Sequence, residues 1–276
     1  MEIWHRVTIN APAESDLLKM IENLTLKKET LQLPGGGGLL VLIDIKESDS
    51  NWPVISNLIS TANAADMKET YFNEEEIRNA EWLRLIPTFE RGYPQPKSHW
   101  PLKQLSYEII CPQCAIYKQI APMHLAKEPF LGKKSFMSMI WASEIFCVPE
   151  VFQNLKTIQA HGNQVWEALI HKSGIPSERV QQLYIPGITS RGIIFEDELI
   201  RKTCPACGIT KYYPHLKGEM LLKREALIPD MDFLLSNEWF GHGLLAWREI
   251  LVSNRIAKLV LDKGWSGIRF KVVKIV

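Results

Sequence analysis

Two short stretches decide how this chain is read: Cys111-Pro112-Gln113-Cys114 and Cys204-Pro205-Ala206-Cys207-Gly208. They hold four of the five cysteines, with 93 positions between the first cysteine of each. A strand-like run leads into each pair, Leu105–Ile110 in one case and Glu198–Thr203 in the other. A tight turn that sets two thiolates on one side, used twice, supplies the four sulfurs of a tetrahedral cage, which Zn²⁺ favours. Cys111, Cys114, Cys204 and Cys207 are therefore the expected ligands of a structural zinc. Buried free thiols are the plain alternative, but they would spend four of five cysteines on two accidental pairs. Disulfides fit less well, because nothing marks the chain as secreted. Four sulfurs close the coordination sphere, so catalytic zinc is not expected.

Such a site would matter to folding. Structural zinc binds with on the order of 10–16 kcal/mol, against a whole-domain stability of about 5–15 kcal/mol. Four thiolates around Zn²⁺ leave a charge near −2. Lys118, Arg201, Lys202 and Lys211 stand close enough in sequence to offset it.

Composition sets bounds. The chain has 276 residues, 46% hydrophobic and 23% charged, as in ordinary globular proteins. A net charge of +1 argues against broad binding to nucleic acid or anionic membrane. Met1–Arg6 has no apolar signal core, and no apolar run approaches membrane-spanning length. A cytoplasmic protein with no membrane partner is the expectation.

Periodicity gives the elements. Val7–Ile9 reads as a strand, and Leu17–Leu24 as a helix capped at Ser15 or Asp16. Gly35–Gly38 reads as a turn, not a phosphate loop, since no Lys-Ser or Lys-Thr follows. Leu39–Ile45 reads as a strand buried on both faces. Trp52-Pro53 opens a short helix. Asn73 caps a second helix, expected to run to Leu85 and to bury Ile77, Ala80, Trp82 and Leu85. Prolines 87, 94, 96 and 101 mark a linker or an extended lid. The expected division is an α/β region over 1–100 and a double-CxxC zinc-binding domain over 101–276.

Beyond residue 103 the chain reads as two related units. Each has a lead strand, a CxxC, a return strand and a helix. A shift of 105 superimposes Glu144-Ile145 on Glu249-Ile250, while the cysteines are offset by 93, implying a 12-residue insertion. Asn163–Lys172 and the segment after Ser177 read as helices. The tail Gly267–Val276 alternates as a strand. The expected class is α+β, with a zinc-ribbon-like core of two CxxC hairpins separated by a long insertion, beside a smaller α/β region.

The two cysteine pairs, with Ser253-Asn254-Arg255-Ile256 and Gly264-Trp265-Ser266-Gly267-Ile268-Arg269-Phe270, resemble the double-CxxCG motif family over roughly 105–276. Many members of that family look like immunity proteins of contact-dependent or secreted polymorphic toxins. The resemblance implies a non-enzymatic protein that binds a cognate toxin, such as a nuclease, and neutralises it. The first pair departs from the pattern: Ala115 stands where the family has Gly, which implies a less left-handed turn there.

Other residues carry weaker signals. Glu74, Glu75 and Glu76 read first as the acidic start of a helix; the functional alternative is an acidic patch that would suit a basic nuclease cleft. Phe233, Trp239 and Phe240 lie in an apolar, loop-like stretch and are the first candidates for partner contact. Cys147 reads as a small buried hydrophobe. His215 could replace a cysteine ligand. Glu196, Asp197 and Glu198 read as a solvated turn rather than a general acid and base. A zinc-ribbon nucleic-acid-binding or transcription-associated protein is the alternative from another class.

Overall fold

Runs rich in Val, Ile, Leu, Phe and Trp make most of the backbone extended, and the protein is mixed α+β, mostly sheet. The structure, a computed structural model, describes residues 1–11, 16–33, 38–61, 64–97, 105–140, 142–195 and 201–276. Residues 35–37 of the glycine turn, the cap candidate Ser15 and the acids Glu196, Asp197 and Glu198 lie outside the described residues. The chain divides into two compact units, Met1–Asn73 with Leu216–Gly218, and the remainder. The boundary is thus at Asn73/Glu74 and not near residue 100.

The first unit contains β1 (Glu2–Ala11), α1 (Asp16–Glu22), β2 (Lys28–Gln32), β3 (Leu39–Lys46), α2 (Trp52–Thr61) and β4 (Ala65–Tyr71). Its sheet has the order β2-β3-β1-β4 with every neighbour antiparallel, a split β-α-β topology used twice. Val7, Ile9, Val41, Ile43 and Ile45 line one face, against Ile55 and Leu58 of α2. β3 is therefore buried on one face only, and Asp44 on the other is exposed and paired to Arg6. The ring nitrogens of buried His5 face two carboxylate acceptors, Nδ1 at 2.9 Å from Asp66 Oδ1 and Nε2 at 3.0 Å from Glu47 Oε1. Thr70 Oγ1 donates to Leu216 O at 3.0 Å, which ties the short Leu216–Gly218 segment into this unit.

The second unit opens with α3 (Glu74–Asn79) and β5 (Trp82–Pro87). The expected long helix is cut in two. Trp82 to Leu85 are all buried, because β5 is a central strand with packing on both faces. Next come β6 (Tyr107–Cys111), β7 (Ile116–Gln119), β8 (His124–Leu125), β9 (Phe136–Ser138), β10 (Ile145–Cys147), α4 (Pro149–Thr157) and β11 (Gln164–Ile170). After these come β12 (Pro176–Tyr184), β13 (Ile193–Ile194), β14 (Arg201–Thr203), β15 (Thr210–Tyr212), β16 (Met220–Leu222) and β17 (Phe233–Leu235). The chain ends with β18 (Trp239–Phe240), β19 (Ile250–Ser253), α5 (Asn254–Asp262) and β20 (Ile268–Ile275). The helices expected at 163–172 and after Ser177 are the strands β11 and β12 instead; their helical spacing was outweighed by pairing in the sheet.

Two repeats build this unit, and each begins in the other's sheet. One sheet has the order β8-β11-β12-β10-β9, and the other has β16-β20-β5-β19-β17 with β13 beyond β16. The strand directions agree throughout: β8–β11 and β16–β20 are parallel, and the other shared pairs are antiparallel. The registers agree as well. Ile145 faces Leu183 and Ser138, as Ile250 faces Leu85 and Leu235. Thus β5, the first strand of repeat one, fills the centre of the second sheet. In return β12, the first strand of repeat two, fills the centre of the first.

The junction is tight on both sides. Ser266 O accepts from the backbone of Ser135 and Phe136, and His161 O accepts likewise from Asp232 and Phe233. Beside these contacts Gly162 (φ +86) and Gly267 (φ +104) approach the opposite repeat so closely that a Cβ would meet Phe233 O at 2.3 Å and Phe136 O at 2.1 Å. Gly267→Ala should lose more than about 3 kcal/mol of unfolding free energy in urea titration. Gly174 has positive φ but nothing within 4 Å; Gly174→Ala should lose only the roughly 1–2 kcal/mol of left-handed strain. Equal losses would remove close approach as the cause.

Candidate metal centre

The hairpins β6–β7 and β14–β15 each turn through a CxxC, and the exchange of strands brings the two turns together. Cys111 Sγ lies 3.9 Å from Cys204 Sγ, and Cys114 Sγ lies 3.6 Å from Cys207 Sγ. Equivalent cysteines thus face one another, and all four sulfurs lie within 4.8 Å of each other. A tetrahedral thiolate site with metal–sulfur bonds of about 2.3 Å has sulfur–sulfur edges of about 3.8 Å. The cluster fits that geometry, and the cysteines are reduced. His215 is not among the ligands; burial, with Arg84 close by, lowers its pKa to about 4.

Local backbone explains why each turn works. Ala115 (φ +56) and Gly208 (φ +71) both follow their second cysteine in the left-handed region. The expectation of a less left-handed first turn is therefore corrected. The turn geometry overrides the side chain, and Ala115 carries the strain that Gly208 avoids. In the second knuckle Gly208 N–H donates to Cys204 O and Cys204 N–H to Ile209 O, each at 2.9 Å. Backbone donation from Cys207 brings the Cys204 thiol down to about 7, whereas burial pushes Cys114 up to about 12.

Of the four cations expected to offset the sulfurs, only Lys211 is buried against the centre. Its Nζ donates to Cys114 O (2.9 Å), Gly243 O (2.6 Å) and Leu245 O (2.9 Å). Lys118, Arg201 and Lys202 are exposed. The difference between Lys211 and its counterpart Lys118 comes from an insertion. Seven positions separate Ser138 from Ile145, but fifteen separate Leu235 from Ile250. The extra eight build β18, which pairs in parallel with β15 and folds back through Phe240 and Trp247. Four more extra residues lie between β15 and β16, around Leu216–Gly218, so the expected insertion of 12 is split in two.

The other expected sites fare differently. Phe233 and Phe240 are buried, and Trp239 is nearly so, packing on Cys111, Cys114 and Cys204. These residues form strands and not a loop, so they offer little free contact surface. Glu74 and Glu75 are exposed on α3, Glu76 is half-buried, and Glu74 pairs with Arg78 at 2.7 Å. Cys147 is buried in β10, and burial pushes its thiol well up. Sequence reasoning missed a pair of half-buried histidines, His124 and His171, with Nδ1 atoms 3.1 Å apart.

It also missed a cavity of about 300 Å³ beside the centre, bordered by Tyr117, Gln119, Glu144, Leu183, Trp239 and Arg248. Glu144 is the counterpart of Glu249. Buried Glu249 has a bidentate partner in Arg84, at 2.7 and 3.1 Å. The counterpart of Arg84 is Gln182. Glu144 therefore lacks that cation, and its Oε2 is buried with no hydrogen-bond partner among the described residues. Burial raises its pKa, while the Tyr107 and Tyr117 hydroxyls partly counter this.

No protein-family model matches the chain. No curated protein matches it either. Among the described residues no helix is long and apolar enough to cross a membrane.

Lys211→Met strands three buried carbonyls and should cost on the order of 3 kcal/mol in chemical unfolding. Lys118→Met should stay within about 0.5 kcal/mol of the parent. The raised pKa of Glu144 means that the folded state holds its proton more tightly than the unfolded state. Its contribution is complete below about 4.5, the ordinary unfolded value, and is lost as pH rises through the folded value. Glu144→Gln should therefore gain stability relative to the parent as pH rises, in melts followed by circular dichroism. An offset that does not change with pH would contradict the shift.

Proposed function

We propose that the protein is an immunity protein that binds and neutralises a cognate bacterial toxin, with the four-cysteine centre holding a structural zinc. The observation that supports this most is the four-sulfur centre, since the resemblance to the double-CxxCG family rests on the same cysteines. Each repeat contributes one CxxC hairpin, so the core reads as zinc-ribbon-like, with Zn²⁺ joining the two halves. A closed thiolate site supplies cross-linking and no open coordination position, which favours a binding role over catalysis. Exposed Glu74 and Glu75 would complement a basic nuclease surface. A stable complex would bury on the order of 1,600 Å².

The test is co-expression with the product of the adjacent gene, followed by copurification and relief of toxicity. A complex that survives purification, with one zinc per chain, is expected. Cys204→Ser should give insoluble or zinc-free protein. No complex and no relief of toxicity would end this reading. A salt-sensitive shift of DNA or RNA in its place would favour the nucleic-acid-binding alternative.

A further inference from the structure

The two repeats differ most at one strand edge, and the cavity lies beside it. In repeat two, β15 is paired on both sides, with β14 and with β18. Trp239 lies opposite Lys211 and Phe240 opposite Tyr212, and Gly241 N–H donates to Tyr212 O at 2.8 Å. In repeat one the same positions are Lys118 and Gln119 of β7, and β7 pairs only with β6 among the described residues. The eight residues that would supply a third strand are missing from repeat one. An open edge with an apolar cavity beside it can accept an added strand.

The walls of the cavity say what such a strand would carry. Leu183, Ile145 and Ile250 are buried apolar residues that line it, and Ile110 and Ile188 are exposed by 56% and 42% at its border. Tyr117 meets Trp239 edge-on at 5.8 Å between ring centres. At the Trp239 end, the Arg248 guanidinium lies 4.4 Å from the indole and donates to Ser236 O and Asn237 O. Glu238 is near enough to act on Arg248 electrostatically, but no carboxylate forms an ion pair with it among the described residues, and Glu238 Oε1 accepts from Gly192 and Ile193 N–H instead. Ser143, the counterpart of Arg248, also borders the cavity, with a much shorter side chain.

We propose that the free edge of β7 is a docking site for an extended segment of a partner protein. The segment runs parallel to β7, as β18 runs along β15, and seats an aromatic side chain in the cavity bordered by Tyr117, Glu144 and Trp239. An acidic residue next to the aromatic one would meet Arg248. The chain itself shows the strand addition, because Trp239-Phe240 occupies the equivalent edge of repeat two in parallel with β15. The inference deepens the toxin-binding reading and rests on it only for the source of the segment.

The probe is a capped peptide copying Ser236–Gly243, titrated into the full-length, isotope-labelled protein. Amide shifts are expected at Tyr117–Gln119, Ser143–Ile145 and Ile188. A peptide with Ala in place of Trp239 and Phe240 should bind at least tenfold more weakly. Gln119→Pro, which removes an edge N–H, and Ser143→Arg, which plugs the cavity, should each weaken binding at least tenfold. Ser143→Arg introduces the residue that repeat two carries, so it keeps the test valid if Gln119→Pro fails to fold. Absence of shifts, shifts centred elsewhere, or parent affinity retained by both variants would overturn the site. A toxin complex that leaves the β7 amides unshifted would overturn the edge and leave the toxin reading standing. Peptide binding without any toxin complex would do the reverse.

Discussion

The exchange of β5 and β12 is the constraint on which the second unit depends. Each is the middle strand of a sheet whose other shared strands come from the opposite repeat. A sheet without its central strand loses pairing on two sides, so neither repeat can complete a sheet alone. The cysteines follow from that arrangement. Each knuckle follows an exchanged strand in chain order, with further strands between, and the two CxxC turns meet at one place. A metal held there would cross-link the halves where they already depend on each other. The close approaches of Gly162 and Gly267 are the same junction seen from its two other sides, one from each repeat.

Against that repeated frame the departures become informative. Four extra residues around Leu216–Gly218 and eight around β18 both belong to repeat two. The second insertion covers the metal centre, because Trp239 and Ala246 pack on the cysteines and Lys211 is drawn inward to bind the hairpin's carbonyls. Its absence from repeat one leaves Lys118 in solvent. The buried acids show the same contrast. Arg84 neutralises Glu249, and Gln182 cannot do this for Glu144, so repeat one retains a carboxyl group that burial holds toward its neutral form.

Much of this was legible in local sequence, and the limits have physical causes. The four cysteines, α4, α5 and the terminal strand could be read because spacing or period marks them directly. The relation between repeats was visible as an offset of 105, which carries Pro149–Thr157 onto Asn254–Asp262, the bounds of α4 and α5. β11 was misread because Val165, Trp166, Leu169 and Ile170 fit a helical stripe while their pairing partners lie elsewhere in the chain. β5 was misread because a strand packed on both faces has no alternation, and its buried Arg84 imitates a polar helix position. The exchange itself left only a faint trace, Ile-Pro followed by Arg-Gly at 86–92 and again at 185–192. Pairing between distant segments is a property of the assembled sheet and has no local period.

A closed sulfur centre in a duplicated frame also narrows where specific recognition can reside. The four cysteines are buried or half-buried, and a metal held by all four would have no open position, so the centre would supply rigidity rather than contact. Features shared by both repeats are spent on holding the repeats together. What remains is the difference between them: one strand edge closed and the other open, one acid paired and the other not. The open edge and the unpaired acid both border the same cavity, which residues of both repeats line. β7, held through Cys114 at the sulfur cluster, would then present to the proposed segment an edge whose shape is set beforehand, which would lower the ordering cost of binding. The strength of the centre and the specificity of the neighbouring edge are in this sense one property, because a looser knuckle would leave the edge without a fixed register.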